Sequence, residues 1–285
     1  MQKWFAEITK EDVTVRLGGD GSNGIDVRTI KGWWSTPDSK VSMTARESGD
    51  GSHDVEGRSV LYASRTVTIE CVAHGRNRTE VEQQVESLLW MAHGLVSLRV
   101  VDEDSDTCVE GFVTVEVKDG KVTRNEEDVT VTVRCPRPER LSANVSVGFM
   151  NPSSQGFGGL VYDSGVLRYP LQYGDGAEAM RSVCTVSNEG TSEAYPAIYA
   201  SGDMPNGFAI TNQATGEQLV YSQPVGSSVV EIDCRSRTAS VNGVDVTRSV
   251  TQRGFPTVPA GGSLTLSLSA DGIGTIEVAS RDTYI

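Results

Sequence analysis

Apolar and polar residues alternate with a period of two through most of this 285-residue chain. Strands with one buried face produce this period, because successive side chains of a strand point to opposite faces of the sheet. The alternation is clearest in VTVRL (13–17), IDVRTI (25–30), SRTVTIECVA (64–73) and FVTVEVKDGKVTRNEEDVTVTVRC (112–135). The sequence therefore predicts a mainly β protein, with a hairpin turn at Asp119-Gly120 inside the longest of these segments.

One segment, NRTEVEQQVESLLWMAHG (77–94), has helical periodicity instead. Thr79 and Glu82 have the spacing of a capping box, and Gly94 stands where a C-terminal cap belongs. We expect His93 to interact with the last carbonyl groups of the helix. The pattern predicts one α-helix over about residues 78–93, with an apolar face made of Val81, Val85, Leu88, Leu89 and Ala92.

Two prolines, Pro136 and Pro138, directly follow the predicted strand that ends at residue 135. Proline donates no ladder hydrogen bond, so this pair ends the sheet. We place a domain boundary there, which gives an N-terminal domain of residues 1–140 and a C-terminal domain of residues 141–285.

The second half of the chain is all β by pattern. Its strands follow one another closely, with turns at Thr215-Gly216 and Asp271-Gly272, and after the second turn the chain returns through Ile276 and Val278. Close strands joined by short turns are typical of two packed sheets. The sequence therefore predicts a C-terminal β-sandwich.

The composition, with 38% apolar and 22% charged residues, is that of a soluble globular protein. No apolar run approaches the ~20 residues of a membrane span. Acidic residues close behind Trp4 and Phe5 are unlike a signal peptide, so we expect synthesis and folding in a cytoplasm. The five cysteines have no zinc or redox spacing, so we expect reduced, buried thiols and no metal or other cofactor.

The formal net charge is −13. Sequence-independent affinity for nucleic acid comes from Lys and Arg, so this charge opposes DNA binding. An acidic surface does suit a conduit through which DNA passes without sticking.

Two short motifs resemble ligand sites without completing them. Residues 19–24 have the glycine spacing of a dinucleotide-binding loop, but a strand pattern follows where that site needs a helix. DEDSDT carries Asp102, Asp104 and Asp106 at the spacing of a calcium loop, but the glycine and glutamate of an EF-hand do not follow. We expect a hairpin loop at the first motif and a solvated acidic turn between strands at the second.

Catalytic patterns are weak. The three histidines, His53, His74 and His93, are not spaced as a pair, and no nucleophile elbow is present. We therefore expect no enzyme activity from a nucleophile and base. A pair of carboxylates of the glycosidase kind stays open, because acids are plentiful and their separation is not visible in the sequence.

Two further features are local. Trp33 and Trp34 are adjacent, so in a strand their rings point to opposite faces, one into the core and one to solvent or a partner. We take both as candidate subunit-contact residues, with packing inside the chain as the alternative. VVEIDCRSRTASVNG (229–243) reads as two strands around a polar crossing, where we expect Asp233 and the arginines to pair.

The second half also resembles the C-terminal domain of the distal tail proteins of bacteriophages with long, non-contractile tails. The residues that carry the resemblance are Asn188-x-Gly190-Thr191, Pro196-x-Ile198 with Gly202, Ile210-Thr211-Asn212, Thr215-Gly216 with Leu219, Ile232-Asp233, Arg237 with Val241-Asn242-Gly243, Pro259-Ala260-Gly261 and Arg281-Asp282-Thr283-Tyr284-Ile285. The first half resembles the same family through the Arg65 strand, the lone helix and the strand hairpin ending at Pro136.

This resemblance implies an N-terminal domain like a tail-tube subunit, which forms a hexameric ring, and a galectin-like C-terminal β-sandwich. It implies a non-enzymatic virion protein at the tail tip that joins the tail tube to the tip or to a receptor-binding fibre and lets DNA pass. On that view we expect Asp102, Asp104 and Asp106, or the carboxylates of residues 126–128, to line the ring lumen.

Two alternatives remain. A galectin-like sandwich could bind carbohydrate on the host surface, with Tyr195 or Tyr199 as the aromatic platform. A tail-associated hydrolase is the other. The sequence does not reveal the host, its receptor or which face of the ring meets which partner.

Overall fold

The computed structural model of the chain describes residues 4–19, 24–57, 60–118, 125–152 and 182–285. This part is mainly β, as the alternation predicts, with eighteen strands and a single α-helix. It divides into unit 1, which comprises Met1–Ala143 with Tyr284–Ile285, and unit 2, which comprises Asn144–Thr283. The predicted turn at Asp119-Gly120 and most of the predicted loop at 19–24 lie outside the described residues.

Unit 1 is an antiparallel sheet system with one helix. Its elements are β1 (Phe5–Lys10), β2 (Val13–Gly18), β3 (Ile25–Lys31), β4 (Arg65–His74), α1 (Arg78–Trp90), β5 (Val96–Val101), β6 (Asp106–Val117) and β7 (Glu126–Cys135). The strands pair in the order β2-β1-β5-β6-β7-β4-β3. All four segments with clear alternation therefore form strands.

The long strand β6 belongs to two sheets. Its residues 106–111 pair with β5, and its residues 112–117 pair with β7. Gly111 lies where the pairing changes, and a Cβ atom there would stand 2.5 Å from the carbonyl oxygen of Arg134. Glycine thus allows the close approach that turns the strand from one sheet into the other.

The core of unit 1 follows from the period of two. In β4, Val67 and Ile69 are fully buried, whereas Thr66 and Thr68 point outwards. The buried faces of both sheets enclose one apolar cluster, to which the helix adds Leu88. Each aliphatic side chain buried there stabilises the fold by about 1.5–3 kcal/mol.

The start of α1 differs from the prediction. The N-cap residue is Asn77, whose Oδ1 accepts a hydrogen bond from the backbone N–H of Glu80 at 3.0 Å. The carboxylate of Glu80 in turn accepts one from the backbone N–H of Arg76 at 2.8 Å. The predicted capping box at Thr79 and Glu82 is wrong, because Asn77 and Glu80 have the same spacing two residues earlier and asparagine is favoured at an N-cap.

The end of α1 also differs. The ammonium group of Lys10, rather than His93, donates to the carbonyl oxygens of Trp90 and Ala92, each at 3.0 Å. His93 instead adopts a left-handed φ of 65° directly after the helix. Leu89, predicted on the buried face, is 45% exposed, because Val81 and Leu88 form the side of this short helix that packs on the core.

Unit 2 is a β-sandwich, as predicted. Its strands are β8 (Arg140–Met150), which begins in unit 1, β9 (Val183–Asn188), β10 (Ala197–Asp203), β11 (Phe208–Asn212), β12 (Gln218–Tyr221), β13 (Val230–Asp233), β14 (Thr238–Val241), β15 (Val244–Asp245), β16 (Val250–Arg253), β17 (Gly262–Ala270) and β18 (Ile273–Tyr284). One sheet has the order β16-β12-β11-β17-β9, and the other runs β15-β14-β13-β10-β18-β8. A single apolar cluster lies between them, with Ile210 and Leu266 from the first sheet and Ile198 and Val278 from the second.

The turn at Asp271-Gly272 does not close a hairpin, although its position is predicted correctly. Strand β17 before it pairs with β9 and β11, whereas β18 after it pairs with β10. Gly272 has a φ of 96°, in the left-handed region that favours glycine. The chain therefore crosses from one sheet of the sandwich to the other at this point.

Candidate assembly surfaces

The two adjacent tryptophans lie in different environments. Trp33 is fully buried in the core of unit 1. Trp34 is 50% exposed, and its ring meets that of Trp4 edge-on, with 5.8 Å between ring centroids and 84° between ring planes. Of the two candidate subunit-contact residues, only Trp34 therefore offers surface to a partner, and its contact with a second subunit stays a prediction.

Arg65 holds the segment around these tryptophans. Its Nη1 donates to the carbonyl oxygens of Gly32, Trp33 and Ser35, at 2.6, 3.0 and 2.8 Å. Its Nε donates to the carbonyl oxygen of Pro138 at 2.7 Å. Burial lowers the pKa of Arg65 below its usual value, and the nearby positive charge of Arg140 lowers it further. The guanidinium thus satisfies four backbone acceptors that have no strand partner there.

A long segment of unit 1, residues 34–63, begins at this point, and we call it the arm. Its two halves run antiparallel through backbone hydrogen bonds, Ala63 N to Asp38 O and Lys40 N to Leu61 O, both at 2.7 Å. Among the described residues of 38–61, none is buried. The most exposed apolar side chains are Met43 at 74% and Leu61 at 62%. A loop of this length without a core of its own is typically functional.

A second exposed apolar surface surrounds Lys10 and is called the Lys10 patch. It comprises Val13, Leu89, Trp90 and Leu95, which are 44, 45, 46 and 70% exposed. The ammonium group of Lys10 lies 4.4 Å from the centroid of the Trp90 ring, and Lys10 pairs with Val13 across β1 and β2. A Cβ atom on Gly94, next to Leu95, would lie 3.5 Å from Cε of Lys10. Lys10 therefore joins the strand turn to the end of α1.

Asp102, Asp104 and Asp106 form an acidic turn between two strands, as predicted. The backbone N–H of Asp102 closes the turn by donating to the carbonyl oxygen of Ser105 at 2.7 Å, and Asp102 Oδ1 accepts from Glu103 N at 2.8 Å. Asp106 opens β6 and accepts two hydrogen bonds from Arg99, at 2.7 and 2.6 Å. These bonds hold the pKa of Asp106 below its usual value. The charge of Asp106 is therefore balanced, and Asp104 is exposed.

The three carboxylates of the other predicted acidic group, residues 126–128, lie in different environments. Glu127 is buried and paired with Arg78 at 2.6 Å. Asp128 is paired with Arg28 at 2.9 Å. Glu126, at the start of β7, is exposed. Among the described residues, Glu126 is the one carboxylate of the three with no cation at contact distance. This group is therefore the weaker candidate for a lumen surface.

In unit 2, the segments that carry the sequence resemblance meet at Asn188, which is fully buried. Its Nδ2 donates to the carbonyl oxygens of Ser192, Pro259 and Val258, at 2.8, 3.2 and 3.3 Å. Its Oδ1 accepts from the backbone N–H groups of Gly190 at 2.9 Å and Thr283 at 3.1 Å. One amide thus ties the end of β9, the turn before β17 and the end of β18 together.

The stretch at 229–243 forms a turn and not a reactive site. Asp233 accepts from the backbone N–H of Arg235 and from the hydroxyl of Ser236, each at 2.8 Å, so it closes the turn between β13 and β14. The Arg235 guanidinium lies 4.5 Å from the centroid of the Tyr195 ring. Asn242 and the glycine after it both have positive φ and form the next hairpin turn.

The candidate reactive groups of the described residues are histidines, cysteines and carboxylates. No three residues among its His, Cys, Asp and Glu lie close enough to hold a metal ion. His74 lies 3.6 Å from Asp26, His53 is in the arm, and His93 follows the helix. The cysteines are free thiols, and burial raises the pKa of Cys71 to about 12 and that of Cys184 to about 11. At thirteen residues, α1 is too short to cross a bilayer, and the structure describes no other α-helix.

No protein-family model matches the chain, and no curated protein matches it. Solved structures do. The SPP1 Dit (gp 19.1) protein, described as a paradigm of the hub adsorption apparatus in phages that infect Gram-positive bacteria, matches with a TM-score of 0.61. The match covers 100% of both chains at 13% sequence identity. The chain has the Dit fold.

Chains of the phage P2 baseplate in its activated conformation also have this fold. The structure with calcium gives a TM-score of 0.56 at 9% identity and covers 99% of this chain and 98% of that chain. The structure with strontium gives 0.53 at 8% identity and covers 97% of each. The Dit fold therefore extends over both units, including unit 2, where the resemblance in sequence is clearest.

Proposed function

We propose that this chain is a structural protein of a phage tail, a distal tail protein that forms a hexameric ring. The ring joins the tail tube on one face to a tail-tip or fibre protein on the other and leaves a passage for DNA. The observation that carries the proposal is the Dit fold over the full length of the chain.

A measurement of mass in solution tests the ring. We expect light scattering to give about six chain masses, 30.5 kDa each, at micromolar protein and above, and negative-stain images of the same sample to show six-fold rings. Mass must be measured over a range of concentrations, because a closed ring dissociates on dilution. A monomer at every concentration, also after addition of a tail-tube protein, would contradict the proposal.

Asp102 and Asp104 are the carboxylates that we propose for the lumen. A surface that repels phosphate keeps DNA from adhering during passage. We expect rings of Asp102→Lys with Asp104→Lys to retain DNA on a filter at low salt, whereas unchanged rings do not. The control is a pair of lysines at Glu217 and Asp271 in unit 2, which adds the same charge elsewhere. Equal DNA retention by both variants would remove these residues from the lumen.

A second function, carbohydrate binding, is favoured by one observation in unit 2. Tyr199 in β10 is 37% exposed, and its neighbours in register are Glu231 on β13 and Glu277 on β18. Such a ring can stack on a sugar, and the two carboxylates beside it can accept hydrogen bonds from the hydroxyl groups of the sugar. Tyr195 is less suitable, because Arg235 already lies on its ring. Retention on host cell walls that Tyr199→Ala abolishes would support this function.

A further inference from the structure

Three buried side-chain nitrogens around Trp33 have no hydrogen-bond acceptor in the described part of the chain. They are Nε1 of Trp33 itself, Nη2 of Arg65 and Nε of Arg140. Trp33 is fully buried and Arg65 is 1% exposed. Because Nη2 of a guanidinium carries two hydrogens, the three nitrogens hold four N–H groups. Buried donors without an acceptor are unfavourable, and charged donors more so, which indicates that a ligand supplies the acceptor.

The three nitrogens belong to segments of unit 1 that meet at Trp33. Arg65 opens β4, and its Nη1 donates to the carbonyl oxygen of Trp33 at 3.0 Å. Its Nε donates to the carbonyl oxygen of Pro138, two residues before Arg140. The guanidinium carbon of Arg140 lies 5.7 Å from the centroid of the Trp33 ring. Trp33 therefore lies beside one guanidinium group with its backbone and beside the other with its ring.

The charges of this cluster do not cancel. Arg65 and Arg140 are both cations, and burial lowers the pKa of each below its usual value. The carboxylate of Glu139 acts on Arg65 with the opposite sign. Cys135 is also close to Arg65, but burial raises the pKa of its thiol to about 11, so it is neutral at pH 7. Two cations beside one carboxylate leave one positive charge, and a buried charge needs a partner of opposite sign.

We propose that Trp33, Arg65 and Arg140 bind a small monovalent anion of the size of chloride. One negative charge balances the cluster, and a halide ion accepts hydrogen bonds from any direction, so it can serve all four N–H groups. A water molecule is the alternative ligand, but its oxygen has two lone pairs and no charge. Arg140 is only partly buried, which gives the ion a route from solvent.

The site lies at the junction of three segments. These are residues 32–35, from which the arm begins, the start of β4, and residues 138–140, which lead into β8. A bound anion offsets the repulsion between Arg65 and Arg140 and thus holds the three segments together. This inference concerns unit 1 alone and does not depend on the proposed ring.

Iodide tests the site directly, because an iodide ion in contact with an indole quenches its fluorescence. In the test chain, phenylalanine replaces the tryptophans at 4, 34 and 90, so that Trp33 is the one tryptophan left. Free iodide does not reach a fully buried ring, so quenching that saturates reports binding. We expect half-saturation at millimolar iodide, with competition by chloride and none by gluconate, which is too large to enter. Absent or unsaturated quenching would overturn the proposal.

A pair of arginine variants of the same test chain locates the ion. Arg140→Gln removes one charge and the Nε donor, and we expect it to raise the iodide concentration for half-saturation by at least about tenfold. Arg134→Gln removes the same charge from the exposed face of β7 and should leave that concentration unchanged. Equal half-saturation in the two variants would place the ion elsewhere and refute the assignment.

The unchanged protein gives a measurement that does not depend on any variant. If the site is half-filled at about 10 mM, 100 mM chloride multiplies the folded-to-unfolded ratio of unit 1 about elevenfold. We therefore expect unit 1 to melt about 4 °C higher in potassium chloride than in potassium gluconate of equal ionic strength. Proteolytic cleavage within residues 34–63 should also be slower in chloride. Equal melting and equal cleavage in the two salts would show that water serves the donors and overturn the proposal.

Discussion

Replacement of Arg65 by methionine is expected to destabilise unit 1 by about 3 kcal/mol and to release the base of the arm. Methionine fills much of the same volume but donates no hydrogen bond, so the carbonyl oxygens of Gly32, Trp33, Ser35 and Pro138 lose their shared donor. Each buried acceptor left without a partner costs about 1–3 kcal/mol, and water that enters at the arm recovers part of that.

Two measurements check the effect of Arg65→Met. Urea unfolding gives the change in free energy, and limited proteolysis gives the rate of cleavage within residues 34–63, which we expect to rise in the variant. Arg134→Met is the control, because Arg134 lies on the exposed face of β7 opposite Thr66. If Arg65→Met and Arg134→Met unfold at the same urea concentration, the buried guanidinium does not hold the arm.

Replacement of Asn188 by alanine is expected to destabilise unit 2 by about 4 kcal/mol. Alanine removes a fully buried amide with five hydrogen bonds. The N–H groups of Gly190 and Thr283 and the carbonyl oxygen of Ser192 lose their bond to the amide, whereas the carbonyl oxygens of Val258 and Pro259 each keep a backbone N–H donor. The penalty for several unsatisfied groups in one place exceeds that for a typical single hydrogen bond. The contact between the ends of β9 and β18 should weaken but not break, because Glu189 N still donates to Asp282 Oδ1 and Ser192 N still donates to Thr283 O.

The matched control is Asn206→Ala, since Asn206 is exposed and its Nδ2 donates a side-chain hydrogen bond to Asp271 at 3.1 Å. We expect that variant to change the free energy of unfolding by less than about 0.5 kcal/mol. Amide hydrogen exchange at Gly190 and Thr283 reports the local effect. Protection at these two amides that is unchanged in Asn188→Ala would contradict the role given to the side chain.

Arg65 and Asn188 are polar residues at positions that the alternation of their strands assigns to the core. Arg65 occupies the inward register of β4, in line with Val67 and Ile69, where alternation calls for an apolar residue. A charged residue at such a position predicts a specific buried partner. The partners of Arg65 are backbone carbonyls from two separate segments, residues 32–35 and Pro138, and the types of these residues do not predict the contact.

The Lys10 patch could not be predicted for a related reason. Leu89 fits the helical apolar pattern, which predicts it in the core, but the helix is oriented so that Leu89 faces solvent. Lys10 and Trp90 are 80 residues apart and meet only because β1 ends beside the C-terminus of α1. The periodicity of a short helix fixes which residues share a face, and packing decides which way that face points.

The mainly β class, the single helix, the strand positions and the β-sandwich follow from the residue pattern alone, because the period of side-chain direction in strands and helices is a local property. Tertiary structure alone decided that Asp271-Gly272 joins two sheets, that Trp33 is buried and Trp34 exposed, and that residues 188, 259 and 283 meet. These features depend on which strands pair, and pairing is set by the packing of distant segments into one core and not by any single window of sequence.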